Sequence, residues 1–254
     1  MPEPTTIPLR GETLVGDAAF REAAELYTRV FQYEEPEFSL NPNLLSALAK
    51  NGGSAVGVHD EGRLVGFAYG FAGRDRSGAE YHYSQAAVVD PDYQGRGIGR
   101  LLKACQREVA LGWGQRRMRW TFDPLLSRNA HFNFAALQAE GTGYAVDYYD
   151  RPRTDRIIVD WALDRTADPF EGVRTLPTPS FSSADWGRVF RATENGIRTA
   201  RLPLPVAGAS AFRVGDLQAS IRDGMQAIFS TGLVLVDCTR LDDETAVYLA
   251  AEGQ

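Results

Sequence analysis

The sequence predicts an α/β (α+β) fold, with a mixed, mostly antiparallel, twisted sheet flanked by helices and followed by a smaller C-terminal α/β region. Three observations predict it. Segments with apolar residues at helical spacing alternate with short β-branched and aromatic runs. Two such runs meet at the turn Asp60-Glu61-Gly62. Glycines occupy the alternate positions 95, 97 and 99 between a strand and a helix. With 254 residues, 44% hydrophobic and 24% charged, the composition is that of a globular protein with one elaborated or two modest domains.

An extended start closes at Leu14 and Val15. Asp17 fits an N-cap for a helix over Ala18 to Phe31, with Phe20, Ala23, Ala24, Tyr27 and Phe31 on one face. A second helix spans Pro42 to Lys50 and exits through Asn51-Gly52-Gly53. Ser54 to His59 and Arg63 to Gly73 read as a hairpin, and Glu80 to Val89 as a further strand. From Ile98 to about Trp113, the residues Ile98, Leu101, Leu102, Cys105 and Val109 mark a buried helical face, and Arg100, Lys103 and Arg107 fall opposite. Met118 to Phe122 is a strand, Asn129 to Glu140 a helix ended by Gly141 and Gly143, and Tyr144 to Tyr149 and Arg156 to Leu163 a closing strand pair.

Pro169, Pro177 and Pro179 make 166–183 a linker between a first domain, 1–165, and a C-terminal extension, 184–254. The extension reads as a helix from Ala184 to Thr199, an extended Leu-Pro-Leu-Pro-Val, a helix from Gly215 to Thr231, and strands Leu233 to Cys238 and Ala246 to Ala250. Its order of helix, glycine, strand, turn and strand repeats that of Phe134 to Leu163, so it reads as a half-copy without the glycine loop.

Several classes are disfavoured. A net charge of −6 opposes a nucleic-acid binder, and no stretch approaches the roughly 20 apolar residues of a membrane helix. With no apolar leader in Met1 to Gly11, a cytoplasmic location without membrane partners is expected. The two cysteines, Cys105 and Cys238, and the scattered histidines suggest neither a disulfide framework nor a metal site.

The loop Gln94-Gly95-Arg96-Gly97-Ile98-Gly99 carries the chemistry. Glycines let the backbone turn its N–H groups towards a ligand, and the first turn of the following helix adds uncapped N–H groups and the positive end of its dipole. Arg96 and Arg100 add charge-assisted donors, so the loop is suited to a phosphate. Neither the G-x-G-x-x-G dinucleotide spacing nor the Gly-Lys-Ser/Thr of a P-loop is present.

With the strand before it and Val89-Asp90-Pro91 leading in, the loop follows Q/R-x-x-G-x-G/A and resembles the GNAT family of N-acetyltransferases over about Ile7 to Leu163. Trp120-Thr121-Phe122-Asp123-Pro124-Leu125 followed by Asn129-Ala130-His131-Phe132-Asn133 resembles a smaller GNAT subgroup with a C-terminal extension. The resemblance implies a GNAT-type sheet, acetyl-CoA as cosubstrate and an amine of a small molecule or peptide as acceptor, with a homodimer allowed. It implies cofactor contacts at the loop residues Gln94, Gly95, Arg96, Gly97, Ile98, Gly99 and Arg100, at the backbone of Val88 and Val89, and at Asn129. Asn129 also has the plainer reading of an N-cap.

The resemblance further implies direct attack of the amine on the thioester. Many family members place a tyrosine where this chain has Ala136, so the acid that protonates the leaving thiolate is missing or supplied elsewhere. The base position falls near Tyr83, beside His82. Strand alternation sends these two to opposite faces, and an unperturbed imidazole titrates near about 6.5, which suits a base. His131 and Asp123 are secondary candidates, and Trp113, Trp120 and Phe132 read as core. Two rival readings are a non-catalytic acyl-CoA-binding scaffold and a transferase for a larger acyl-CoA.

Overall fold

The computed structural model describes residues 9–33, 35, 38–206 and 214–253. The first two residues of the expected GNAT-like region, Ile7 and Pro8, lie outside them. The chain forms two compact units, Met1–Met118 and Arg119–Gln254. The expected mixed, mostly antiparallel sheet flanked by helices is present, with extra C-terminal strands.

In the first unit, strands β1 (Gly11–Thr13), β2 (Ser54–Asp60), β3 (Arg63–Arg74) and β4 (Glu80–Val89) pair antiparallel in sequence order. The β2–β3 turn is two residues, Glu61 and Gly62, both at positive φ, which matches the twist of a tight hairpin. Helices α1 (Asp17–Phe31) and α2 (Pro42–Lys50) pack through Phe20, Ala23, Leu26 and Leu45 onto Leu64, Phe67 and Tyr69. Helix α3 (Ile98–Gly112) packs through Ile98 and Leu102 onto Val56, Val58, Val65 and Ala68. Covered on both faces, β2 and β3 read as nearly continuous apolar runs instead of alternating ones.

Three local expectations change here. Gly16, at φ 92, is the N-cap of α1; Asp17 is its first helical residue and pairs with Arg21 at 2.6 Å. The buried stripe of α1 runs through Leu26, leaving Phe31 43% exposed. Lys103 lies on the inner face of α3 with Leu102, Gln106 and Ala110, since a helix against a broad sheet buries a wider stripe than its apolar residues mark.

Strand β5 (Arg117–Phe122) leads into the second unit, where the sheet order is β5-β7-β6-β10-β11-β9-β8. Helix α4 (Ser127–His131) widens into a π turn over Phe132–Ala136 and ends at Gln138, which has a positive φ. Gly141 and Gly143 therefore do not end a helix; both lie within β6 (Glu140–Ala145), which starts four residues before the expected strand, and β7 (Arg156–Ala162) follows.

The expected linker 166–183 contains α5 (Glu171–Arg174), and its Phe170 and Val173 are buried against Val236, Leu249 and Ala251. The expected helix over Ala184 to Thr199 is instead a hairpin of β8 (Phe190–Glu194) and β9 (Ile197–Pro205). Its turn, Asn195-Gly196, has φ 53 and 81, the left-handed pair that an Asn-Gly turn supplies. Helix α6 (Val214–Phe229) and strands β10 (Leu233–Arg240) and β11 (Thr245–Glu252) complete the unit.

The run β9-α6-β10-β11 thus repeats the element order of β5-α4-β6-β7, and the two halves meet where β6 pairs with β10 at Gly141 and Leu235. A Cβ on Gly141 would lie 2.8 Å from Leu235 Cβ and 3.0 Å from Phe134 Cζ, whereas one on Gly143 would lie no closer than 3.4 Å to Ile158. Gly141→Val is expected to cost about 1–3 kcal/mol by overpacking, and Gly143→Val markedly less. Urea unfolding of the two variants checks this, and equal losses would contradict the β6–β10 junction.

Candidate cofactor loop and its surroundings

β4 delivers the chain to the loop. Asp90, 3% exposed, accepts from Arg63 at 2.6 Å, from Arg29 at 3.1 Å and from its own Asp92 N–H at 3.2 Å. Burial pushes its carboxyl upwards, but these donors outweigh burial and hold it below the usual range. Asp90 thereby fixes the 3₁₀ turn Pro91–Tyr93 against α1 and β3 before the glycines begin. The sequence reading took Asp90-Pro91 only as lead-in, because Arg29 and Arg63 are 61 and 27 residues away.

Gly95 and Gly97 sit at φ 81 and 79, where L side chains are strained, and a Cβ on either would enter open space. These glycines are thus set by backbone conformation, not by packing. Gly97 is the N-cap of α3 and offers no side chain to the first-turn N–H groups. Ile98 is buried and anchors that turn, while Gln94, Arg96 and Arg100 are exposed. The Arg96 guanidinium lies 4.8 Å from the centre of the Tyr93 ring and 3.6 Å from Asp60. In spite of the net charge of −6, Arg96 and Arg100 stand exposed beside the loop.

The two base candidates separate as alternation requires. His82 faces α3 and is fully buried, with Nε2 2.8 Å from Ser54 Oγ and Nδ1 2.8 Å from Gln115 Oε1. Burial, foremost, lowers it to about 4. Tyr83 faces the other way, 9% exposed, its ring 5.2 Å from that of Phe71. Val88 is buried under α1 and α2, and Val89 packs towards α3.

In the second unit, Asn129 is an exposed residue inside α4, and Leu126 is the N-cap, so the N-cap reading of Asn129 does not hold. His131 is tied by Nδ1 to the Cys238 carbonyl at 2.9 Å, and Asp123 accepts from the Leu125 N–H as a turn former. Trp120 is core, 6% exposed, but Trp113 is 47% exposed and donates to the Gly53 carbonyl, just before β2.

Lys103 is the group that sequence reasoning placed on the wrong face. It is 3% exposed, donates to Ser84 Oγ at 2.9 Å and lies 3.9 Å from Met118 Sδ; burial lowers it from 10.5 to about 7. Between those two values the unfolded chain holds a proton that the folded chain lacks, so this group adds stability as pH rises. Wild type is expected to gain more urea resistance from pH 7 to pH 9 than Lys103→Met; parallel pH profiles would contradict the burial of this amine.

Among the described residues, no group of three His, Cys, Asp or Glu could hold a metal ion, and no helix is long and apolar enough to cross a membrane. Residues 19–133 match the family model of the acetyltransferase (GNAT) family. Among solved structures, yncA of Salmonella typhimurium with its cofactor acetyl-CoA is 16% identical with a TM-score of 0.50, over 63% of this chain and 97% of that one. The ribosomal-protein-S18-alanine N-acetyltransferase of Escherichia coli is 15% identical with a TM-score of 0.48, over 64% and 98%. Each alignment therefore leaves more than a third of the present chain uncovered. No curated protein sequence matches significantly.

Proposed function

As a member of the GNAT superfamily, carrying that family's domain over residues 19–133, the chain is one that we propose transfers an acetyl group from acetyl-CoA to an amine of a small molecule or peptide by direct attack. One observation carries the reading: an exposed turn whose two left-handed glycines open into free space and whose following helix start has no side-chain cap. Such a turn leaves N–H groups available to a pyrophosphate, with Arg96 and Arg100 beside it.

In this reading, 1–165 is the acyl-CoA-binding domain, 166–183 its connection and 184–254 an extension. The pantetheine arm follows the backbone of Val88 and Val89. Tyr83 is the stronger base candidate, because both ring nitrogens of His82 are already engaged, by Ser54 and Gln115. Ala136 leaves protonation of the thiolate to another group.

Calorimetric titration with acetyl-CoA, CoA and a longer acyl-CoA tests the proposal. Micromolar binding with a preference for the acetyl form supports it. Equal or tighter binding of the longer form favours a transferase for larger acyl groups. No binding to any of the three would remove the acyl-CoA reading.

A further inference from the structure

A chain of hydrogen bonds runs between α3 and the sheet of the first unit. Lys103 Nζ donates to Ser84 Oγ at 2.9 Å, Ser84 Oγ to Gln106 Oε1 at 2.9 Å, and Gln106 Nε2 to Ser54 Oγ at 3.2 Å. Ser54 Oγ meets His82 Nε2 at 2.8 Å, His82 Nδ1 meets Gln115 Oε1 at 2.8 Å, and Gln115 Nε2 donates to the Gly52 carbonyl at 3.0 Å. Gln115 Oε1 can only accept, so His82 carries its hydrogen on Nδ1 and accepts at Nε2 from Ser54. Each member therefore has a fixed direction, and the chain holds the Lys103 amine at Ser84 of β4 and near Met118 of β5.

That position can be compared with the length of the cosubstrate. From the last phosphorus to the sulfur, the pantetheine arm has about thirteen bonds, the backbone length of roughly four to five residues, or about 15 Å when extended. Laid along β4 from Val89 at about 3.3 Å per residue, it brings the sulfur to Gln85 and Ser84. The β3–β4 ladder is irregular at this place: Tyr69 faces Ala86 and Gly70 faces Ser84, which leaves Gln85 as an extra residue. Bulges of this kind re-aim the backbone and recur beside active sites.

We propose that Lys103 is the proton donor to the thiolate of CoA as it leaves, an inference that rests on the acetyl-CoA site proposed above. The acceptor nitrogen forms its bond to the acetyl carbon, the carbon–sulfur bond breaks, and the sulfur takes a proton from Lys103 Nζ. The proton shed by the acceptor nitrogen passes through the base, Tyr83 in the reading above, to solvent, and solvent restores the ammonium, so no net proton is gained or lost. An amine lowered by burial to about 7 is matched to proton transfer near neutrality. His82 on β4 is a titratable neighbour, already neutral at that pH, and Ser84 of β4 and Met118 of β5 lie against the amine.

The test needs no acceptor. The thiol of bound CoA is titrated by its thiolate ultraviolet absorbance in wild type, Lys103→Met and Lys103→Arg. A cation within contact distance lowers an acid by roughly 1–3 pH units, so thiolate is expected at lower pH in wild type and Lys103→Arg than in Lys103→Met. Identical titration in all three, with CoA still bound, would overturn the inference alone. Failure of wild type to bind CoA would overturn it together with the reading beneath it. Mass spectrometry after incubation with acetyl-CoA is the second measurement: stoichiometric acetylation of Lys103 would make it a nucleophile and not an acid, and an unmodified Lys103 agrees with the proposal. Should Lys103→Met fail to fold, Lys103→Gln supplies the neutral side chain with polar atoms for the same partners.

Discussion

Gly97→Glu is expected to weaken acetyl-CoA binding by about a hundredfold or more, because it removes charge-assisted contacts and adds a like charge, together about 3 kcal/mol. The position is demanding in two separable ways. A side chain at φ 79 is strained by about 1–2 kcal/mol whatever its chemistry, and a carboxylate there projects into the open space that the phosphates are proposed to fill. Gly97→Ala carries the strain without the charge and is expected to melt slightly lower while keeping most of its affinity. Gly99→Glu is the converse, since residue 99 is already helical and pays no left-handed penalty. Calorimetry on the three variants separates backbone from electrostatics, and an unchanged affinity in both glutamate variants would refute the site assignment.

Asp155→Ala is expected to destabilise the second unit by about 2–3 kcal/mol, the loss of hydrogen bonds to a buried carboxylate whose partner Arg222 is partly exposed. Asp155 is 1% exposed and accepts four donors: Arg222 Nη2 at 2.7 Å, Arg222 Nε at 2.8 Å, Tyr144 Oη at 2.6 Å and the Asp147 N–H at 3.0 Å. Burial drives its carboxyl upwards, yet the bonds from Arg222, Tyr144 and Asp147 outweigh burial and leave it below the usual range. Its stabilising contribution is present at neutral pH and is lost as pH falls through that lowered value. Burial and the Asp155 carboxylate hold the Tyr144 hydroxyl far above its ordinary titration range, so it stays a donor. Because Arg222 belongs to α6, while Tyr144 and Asp155 flank the β6–β7 connection, loss of Asp155 undocks the helix that the C-terminal half contributes. Urea unfolding, with Tyr144→Phe as a milder control at about 1–2 kcal/mol, checks the size. A loss under 1 kcal/mol for Asp155→Ala would mean that the cluster is solvated and the docking is carried by apolar contacts.

The elements that the sequence placed well are those in which local chemistry and burial agree. α2 follows its Asn41 cap and Pro42, β4 its aromatic and β-branched run, and α3 its period from Ile98. The glycine loop was legible because left-handed backbone is a local demand that few residue types meet. The Asn195-Gly196 hairpin rests on an equally local turn signal, which the expectation of a helix over Ala184 to Thr199 left out. The π turn after His131 moved the start of β6 by four residues, and no pattern in the composition announces an i→i+5 bond.

By itself, the sequence determined the mixed sheet, the position of the glycine turn and the family to which that turn points, since periodicity and glycine spacing are short-range properties. Only the tertiary structure decided that Asp90 is clamped by Arg29 and Arg63, that His82 is sealed beneath α3, that Lys103 faces inwards and that Gly141 marks a strand junction. The reason is one of distance along the chain. These features join residues from 15 to 94 positions apart, and a polar side chain gives no local sign of whether water or a buried partner will satisfy it.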